Sequence, residues 1–338
     1  MYTAAPDLAA FVQGLPKTET HLHLEGSCPL ELLDRHAPEL FGQVPYMWDD
    51  DFRYDSFTHF TQLFAQVAMA VFKTPEAFHE CARGVFQECV SQNVRYVECS
   101  FHIGLLNQPG MHGPEVIAAI LDAAPPGLEV RVFVGMRHNS YDAETAPIID
   151  DCVHWPNLTG IDLHGPEDLP LEDWTARVWH RAAEHGKYRK AHAGEFMPAA
   201  FVGRCIDELG AQRIEHGVRA IEDPRIMRML IDRGIGLDVC PISNLKLQVE
   251  GISTMSDHPI RQLFDAGVRC TINTDDTLMF GNSLNEEYYA LAADLDFTPA
   301  ELAQIALNGF ELALWEGAGK EEARRDLAAI ISECAPPS

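Results

Sequence analysis

This sequence has no excess of positive charge, no long apolar run and no cysteine framework, and each absence excludes a class of function. In 338 residues, 25 Lys and Arg stand against 51 Asp and Glu, a formal net charge of −26. A surface this acidic repels phosphate backbones and anionic lipid heads. Neither a nucleic acid nor a membrane is therefore expected as a partner, whereas a neutral or cationic small molecule is admitted readily. No apolar run reaches the roughly 18–20 residues needed to cross a bilayer. The opening residues 1–8 lack the basic-then-apolar pattern of a secretory leader. The nine cysteines form no Cys-x-x-Cys pair and lie in apolar stretches such as 97–100 and 237–241. That suits reduced thiols in a cytoplasmic protein better than a disulfide scaffold.

Linker-like tracts and internal repeats are also missing, as are Gly-x-Gly-x-x-Gly and Gly-Lys-Ser/Thr phosphate loops. What recurs is a short β-rich run followed by a longer helical pattern. The runs fall at 18–24, 94–100, 129–136, 158–163, 188–193, 213–217, 236–241 and 268–276. Helical patterns separate most of them, as at 171–186 and 222–233, with Gly186 and Gly234 at plausible helix ends. Alternation of this kind implies a parallel sheet with right-handed crossovers, and eight units favour an α/β fold of the closed (β/α)8 TIM-barrel type. Residues 1–338 are read as one domain. The stretch between the first and second runs is long, which predicts a helical insertion at about 28–93. Within it Phe57, Phe60, Phe64 and Phe72 recur at near-helical spacing. They read either as core packing or as the inner face of a lid over the barrel mouth.

Polar residues collect at the carboxyl ends of these runs, the face that carries the active site in such a barrel. His21 and His23, two apart on one strand, share a face and can both point inward. His192 ends the fifth run, and Asp275 and Asp276 end the last. Three imidazoles and a carboxylate suit Zn²⁺ with room for a water, and would also take Fe²⁺ or Mn²⁺. Glu195, His216 and Asp276 fit around such a water, because a nearby His or carboxylate can take its proton while a carboxylic acid protonates a ring nitrogen. Each also has an ordinary reading: Glu195 as a solvated loop acid, His216 as a satisfied barrel histidine, Asp276 as a helix N-cap. The set is harder to explain as chance than any member of it.

The segments 15–27 (L-P-K-T-E-T-H-L-H-L-E-G-S), 136–138 (M-R-H), 159–165 (T-G-I-D-L-H-G) and 192–195 (H-A-G-E) belong to one pattern. It continues through 213–220 (R-I-E-H-G-V-R-A), 240–247 (C-P-I-S-N-L-K-L) and 272–281 (I-N-T-D-D-T-L-M-F-G). In this order they resemble the adenosine deaminase family of metal-dependent aminohydrolases. The resemblance implies one Zn²⁺ per chain on His21, His23, His192 and Asp275. It implies Glu195 as the donor to purine N1, His216 as the group that takes a proton from and orients the hydroxide, and Asp276 as its second holder. Substrate contacts would come from Gly165, Glu25, His23 and Asp276, with Ser243 and Asn244 in supporting places. The product would be a 6-oxopurine plus ammonia.

One position departs from the pattern. Nucleoside deaminases of the family usually carry Asp where this chain has Glu25, and members acting on free adenine tend to have Glu there. Those members also tend to carry a Glu near position 165, where this chain keeps Gly165. A nucleoside, adenosine or a 5′-modified adenosine such as aminodeoxyfutalosine, is the leading expectation, and free adenine the second. A barrel metallohydrolase cutting an amide or phosphoester, with Lys190 carboxylated between two metals, is the rival enzyme class. A sensor built on an inactive barrel is the non-enzymatic rival.

Overall fold

Eight strands form one parallel sheet in sequential order. They are β1 (Lys17–His23), β2 (Val94–His102), β3 (Glu129–Arg137), β4 (Leu158–His164), β5 (Tyr188–Ala193), β6 (Arg213–His216), β7 (Gly236–Val239) and β8 (Cys270–Ile272). The computed structural model describes residues 2–334. Helices follow the strands and cover the sheet from outside, giving a (β/α)8 barrel, as the alternation predicts. Helix Asp173–Glu184 lies within the expected 171–186, and helix Pro224–Arg233 ends on Gly234 at φ 65°. No helix among the described residues is long and apolar enough to cross a membrane.

The eighth run is the one that differs from expectation. Only Cys270–Ile272 is strand, and the chain leaves the sheet before reaching the two aspartates. Asp275 sits at φ 65°, a backbone region that non-glycine residues seldom adopt. In this conformation Asp275 N–H donates to His21 O at 3.0 Å and Asp275 O accepts from His23 N–H at 3.1 Å. The loop after β8 therefore ties the sheet back to β1 and turns the Asp275 side chain to the interior.

The segment after β1 contains helix Leu30–His36, a 3₁₀ turn at Tyr46–Trp48, and helices Phe57–Val71 and Pro75–Ser91. Ser56 and Thr74 cap the last two by accepting from His59 N–H and Ala77 N–H. Helix Pro75–Ser91 packs on β2 and on helix Gly113–Asp122, as part of the outer ring. Helix Phe57–Val71 instead presents Phe57, Phe60 and Phe64 to a cavity at the barrel mouth. Phe72 points elsewhere, its ring 4.8 Å from that of Phe78.

Below the mouth, the barrel interior is charged. Lys190 Nζ lies 2.7 Å from Glu98, 3.4 Å from Glu215 and 3.5 Å from Asp238, while Arg213 lies 3.2 Å from Asp238 and 3.5 Å from Glu98. All five groups are buried. Taking charges out of water is costly, and here each ion is offset by at least one opposite charge, most by two or more. Lys190→Met is expected to lower unfolding stability by about 3–5 kcal/mol, because it leaves buried carboxylates uncompensated. Urea denaturation checks this; a loss below about 1 kcal/mol would mean the network adds little.

Candidate metal and catalytic site

The side chains of His21, His23, His192 and Asp275 converge at the carboxyl end of the barrel. His21 Nε2 lies 3.1 Å from His192 Nε2 and 3.3 Å from His23 Nε2, and Asp275 Oδ1 lies 3.3 Å from both His21 Nε2 and His23 Nε2. Arms of about 2.0–2.1 Å put neighbouring ligand atoms of one zinc ion about 3 Å apart or slightly more, so these separations fit side chains that share one ion. Three imidazole nitrogens facing one another cannot all be satisfied by protons.

The opposite edge of each ring is held. His21 Nδ1 lies 3.1 Å from Asp238 O, and His23 Nδ1 lies 2.8 Å from Ser100 Oγ. His192 Nδ1 lies 2.9 Å from Glu215 and 3.1 Å from Leu163 O, with Asp162 at 3.3 Å. Ser243 Oγ donates to Asp275 Oδ2 at 2.7 Å. These partners orient every ligand atom toward the common centre, as outer contacts of a metal site do.

Three further groups surround that centre. Glu195 is 3 % exposed, so it is no solvated loop acid. Burial pushes its carboxyl far above the usual carboxylate range, and the charges of Asp275 and Glu167 push it further. Glu167 fixes the loop that carries it, accepting from the backbone N–H groups of Glu195, Phe196 and Met197. His216 Nε2 lies 3.6 Å from Glu195 Oε2 and 3.9 Å from Asp275 Oδ2. Burial holds this imidazole well below the usual histidine pKa, and His21 adds to the effect. Asp276 stands at the N-cap position of helix Thr277–Phe280 but makes no side-chain capping bond. Its Oδ1 is buried without a hydrogen-bond partner among the described residues. Burial, then the charge of Asp275, raises its pKa.

His23, Phe60, Gly165, Glu195, His216 and Asp276 line a cavity of about 50 Å³. Gly165 has φ 89°, and a Cβ there would stand 3.1 Å from Arg137 Cγ, so bare backbone faces the space. Glu25 is placed differently from the expected substrate contact. It is 1 % exposed, is absent from the cavity lining, and Oε1 accepts from His102 N–H at 2.7 Å. Burial raises its pKa to about 7. Lys190 is engaged in the ion pairs beneath the site, which leaves no free amine for carboxylation.

Sequence reasoning did not single out Asp162, His164, Glu167, Glu215 or His258. Glu215 and His216 are neighbours, and strand alternation would send one of them outward. His216 escapes that rule because it closes β6 at φ 60°, so both side chains reach the interior. His164 lines the cavity with its Nε2 3.0 Å from His102 Nδ1. Its place two residues beyond Asp162 on β4 is a period-two signal that could have revealed it.

Residues 16–330 match the model of the family described as adenosine deaminase. The chain is 32 % identical to an adenine deaminase of Rhodospirillum rubrum, over 95 % of this chain and 98 % of that one. Among solved structures, an adenine deaminase from Arthrobacter aurescens superposes with a TM-score of 0.82 at 24 % identity, covering 94 % of this chain and 100 % of that one. An amidohydrolase from Burkholderia ambifaria with bound Zn superposes with a TM-score of 0.84 at 22 % identity, covering 98 % and 94 %. These two structures share the fold.

Proposed function

Because the chain belongs to the adenosine deaminase family and is a hydrolytic aminohydrolase, we propose that it removes the 6-amino group of adenine, using one zinc ion per chain. The observation that carries this reading is the pairing, across one cavity, of a buried three-histidine, one-aspartate cluster with a buried carboxyl group whose pKa is raised by that burial. A zinc ion on His21, His23, His192 and Asp275 would supply a nucleophilic water near neutral pH. Glu195, whose burial favours the acid form, donates its proton to N1 of the purine, which makes C6 electrophilic. Asp276 and His216 flank the attacking oxygen, and Gly165 N–H faces the N3 edge. Water adds at C6, the exocyclic nitrogen leaves as ammonia, and a 6-oxopurine remains.

Free adenine leads for two reasons: the relatives are named adenine deaminase, and Glu25 stands where the resemblance associates Glu with the free base. Phe57, Phe60 and Phe64 line this cavity from one side, and in this reading helix Phe57–Val71 acts as a lid over the bound ring. One observation favours a second substrate, an N9-substituted adenine: Gly165 leaves open backbone where free-base members tend to carry a Glu.

The test ranks adenine, adenosine, deoxyadenosine and 5′-modified adenosines by kcat/KM, following ammonia release. Adenine is expected to rank first. A nucleoside ranking first would install the second substrate, and no ammonia from any of them would overturn the deaminase reading.

A further inference from the structure

The ring of His216 ends a hydrogen-bond chain whose direction is set at its far end. Ile260 N–H donates to His258 Nδ1 at 3.2 Å. A backbone N–H can only donate, so this nitrogen is bare, and the one proton of the His258 ring is on Nε2. Nε2 lies 3.2 Å from Asn244 Oδ1 and donates to it. With the amide oxygen engaged, the amide NH₂ faces the site, 3.1 Å from His216 Nδ1 and 3.3 Å from Glu195 Oε1. The O/N assignment of this amide thus follows from its network. An NH₂ group has no acceptor to offer, so His216 Nδ1 must itself accept. The ring proton of His216 is then on Nε2, the nitrogen that faces Glu195 and Asp275.

We propose that Asn244, oriented by His258, is a positioning residue that locks His216 as the Nε2–H tautomer, so that His216 meets the attacking oxygen as a hydrogen-bond donor. This rests on the deaminase reading above and changes the part His216 plays in it. A nitrogen that already bears a proton has no lone pair for another, so His216 cannot be the group that first takes a proton from the water. It stabilises negative charge developing on the oxygen, as preorganised donors do. The same amide holds Glu195, so one side chain aligns the acid and the donor together. Asn244, His258 and His216 are all buried, which shields the chain from competing water.

The experiment is ¹⁵N–¹H NMR of zinc-loaded protein with ring-¹⁵N histidine, the His216 signals being assigned by their loss in His216→Gln. The wild type is expected to show His216 protonated at Nε2 and bare at Nδ1. Asn244→Asp offers Nδ1 only acceptors, so the proton is expected to move to Nδ1. With that change, kcat should fall by about 10²-fold or more while KM changes little. His258→Gln retains a donor toward Asn244 and should keep the wild-type tautomer, whereas His258→Leu should lose it. A merely structural role would lower stability and leave the tautomer alone. A wild-type His216 protonated at Nδ1, or an Asn244→Asp variant still protonated at Nε2, overturns the proposal. Should Asn244→Asp fail to fold, the wild-type spectrum decides by itself. The spectrum requires no turnover, so a failure of the tautomer proposal is distinguishable from a failure of the deaminase reading.

Discussion

His21→Ala or Asp275→Ala is expected to abolish zinc retention and deamination together. Each side chain places one atom among the four that converge, and each remaining atom then faces a gap. Losing only an outer partner of a metal ligand typically weakens binding by about 10–100-fold, and losing a ligand should exceed that. The two residues reach the site by different routes: His21 lies on β1, Asp275 in the loop that ties β8 to it. A common outcome from both would therefore reflect the site and not one element. The barrel core lies elsewhere, so circular dichroism should show both variants folded. Metal analysis after dialysis against a weak chelator provides the check, and a variant that keeps one zinc per chain with normal turnover removes that residue from the ligand set.

Glu195→Gln is expected to lower kcat by at least about 10²-fold with zinc still bound, the usual scale for a positioned general acid. Gln keeps the shape and can still accept from Asn244, but has no proton to give N1. The pH profile adds a second reading. The Glu195 pKa is raised, chiefly by burial, so the active acid form is present below that pKa and is lost as pH rises through it. The alkaline limb of kcat/KM should therefore vanish in Glu195→Gln. A variant with wild-type kcat and the same limb would take Glu195 out of the mechanism.

Much of this was legible in the amino-acid sequence for physical reasons. A strand has a period of two, so His21 and His23 declared a shared face. Eight alternating β-rich and helical runs favour a barrel, and the eight strands do follow one another around the sheet in sequential order. Other features depend on backbone angles that no pattern announces. Asp275 and His216 both sit near φ 60–65°, and that is what turns Asp275 inward beyond the end of β8 and lets His216 share the interior with Glu215. Glu25 illustrates a second limit. A residue type at a motif position says what a carboxylate is able to bond, whereas here the partner is His102 N–H, 77 residues along the chain. The His258–Asn244–His216 chain is a third case: it joins three elements, and the donor that sets it is a main-chain amide.

Deamination in ¹⁸O-water by the zinc-loaded protein tests the central claim most directly, with adenine and adenosine offered in parallel. Hydrolytic replacement of the 6-amino group predicts one ammonia for each 6-oxopurine formed, and one ¹⁸O atom at C6 of every product molecule. Folded protein carrying its zinc that forms no 6-oxopurine, or a product without ¹⁸O at C6, would contradict the account.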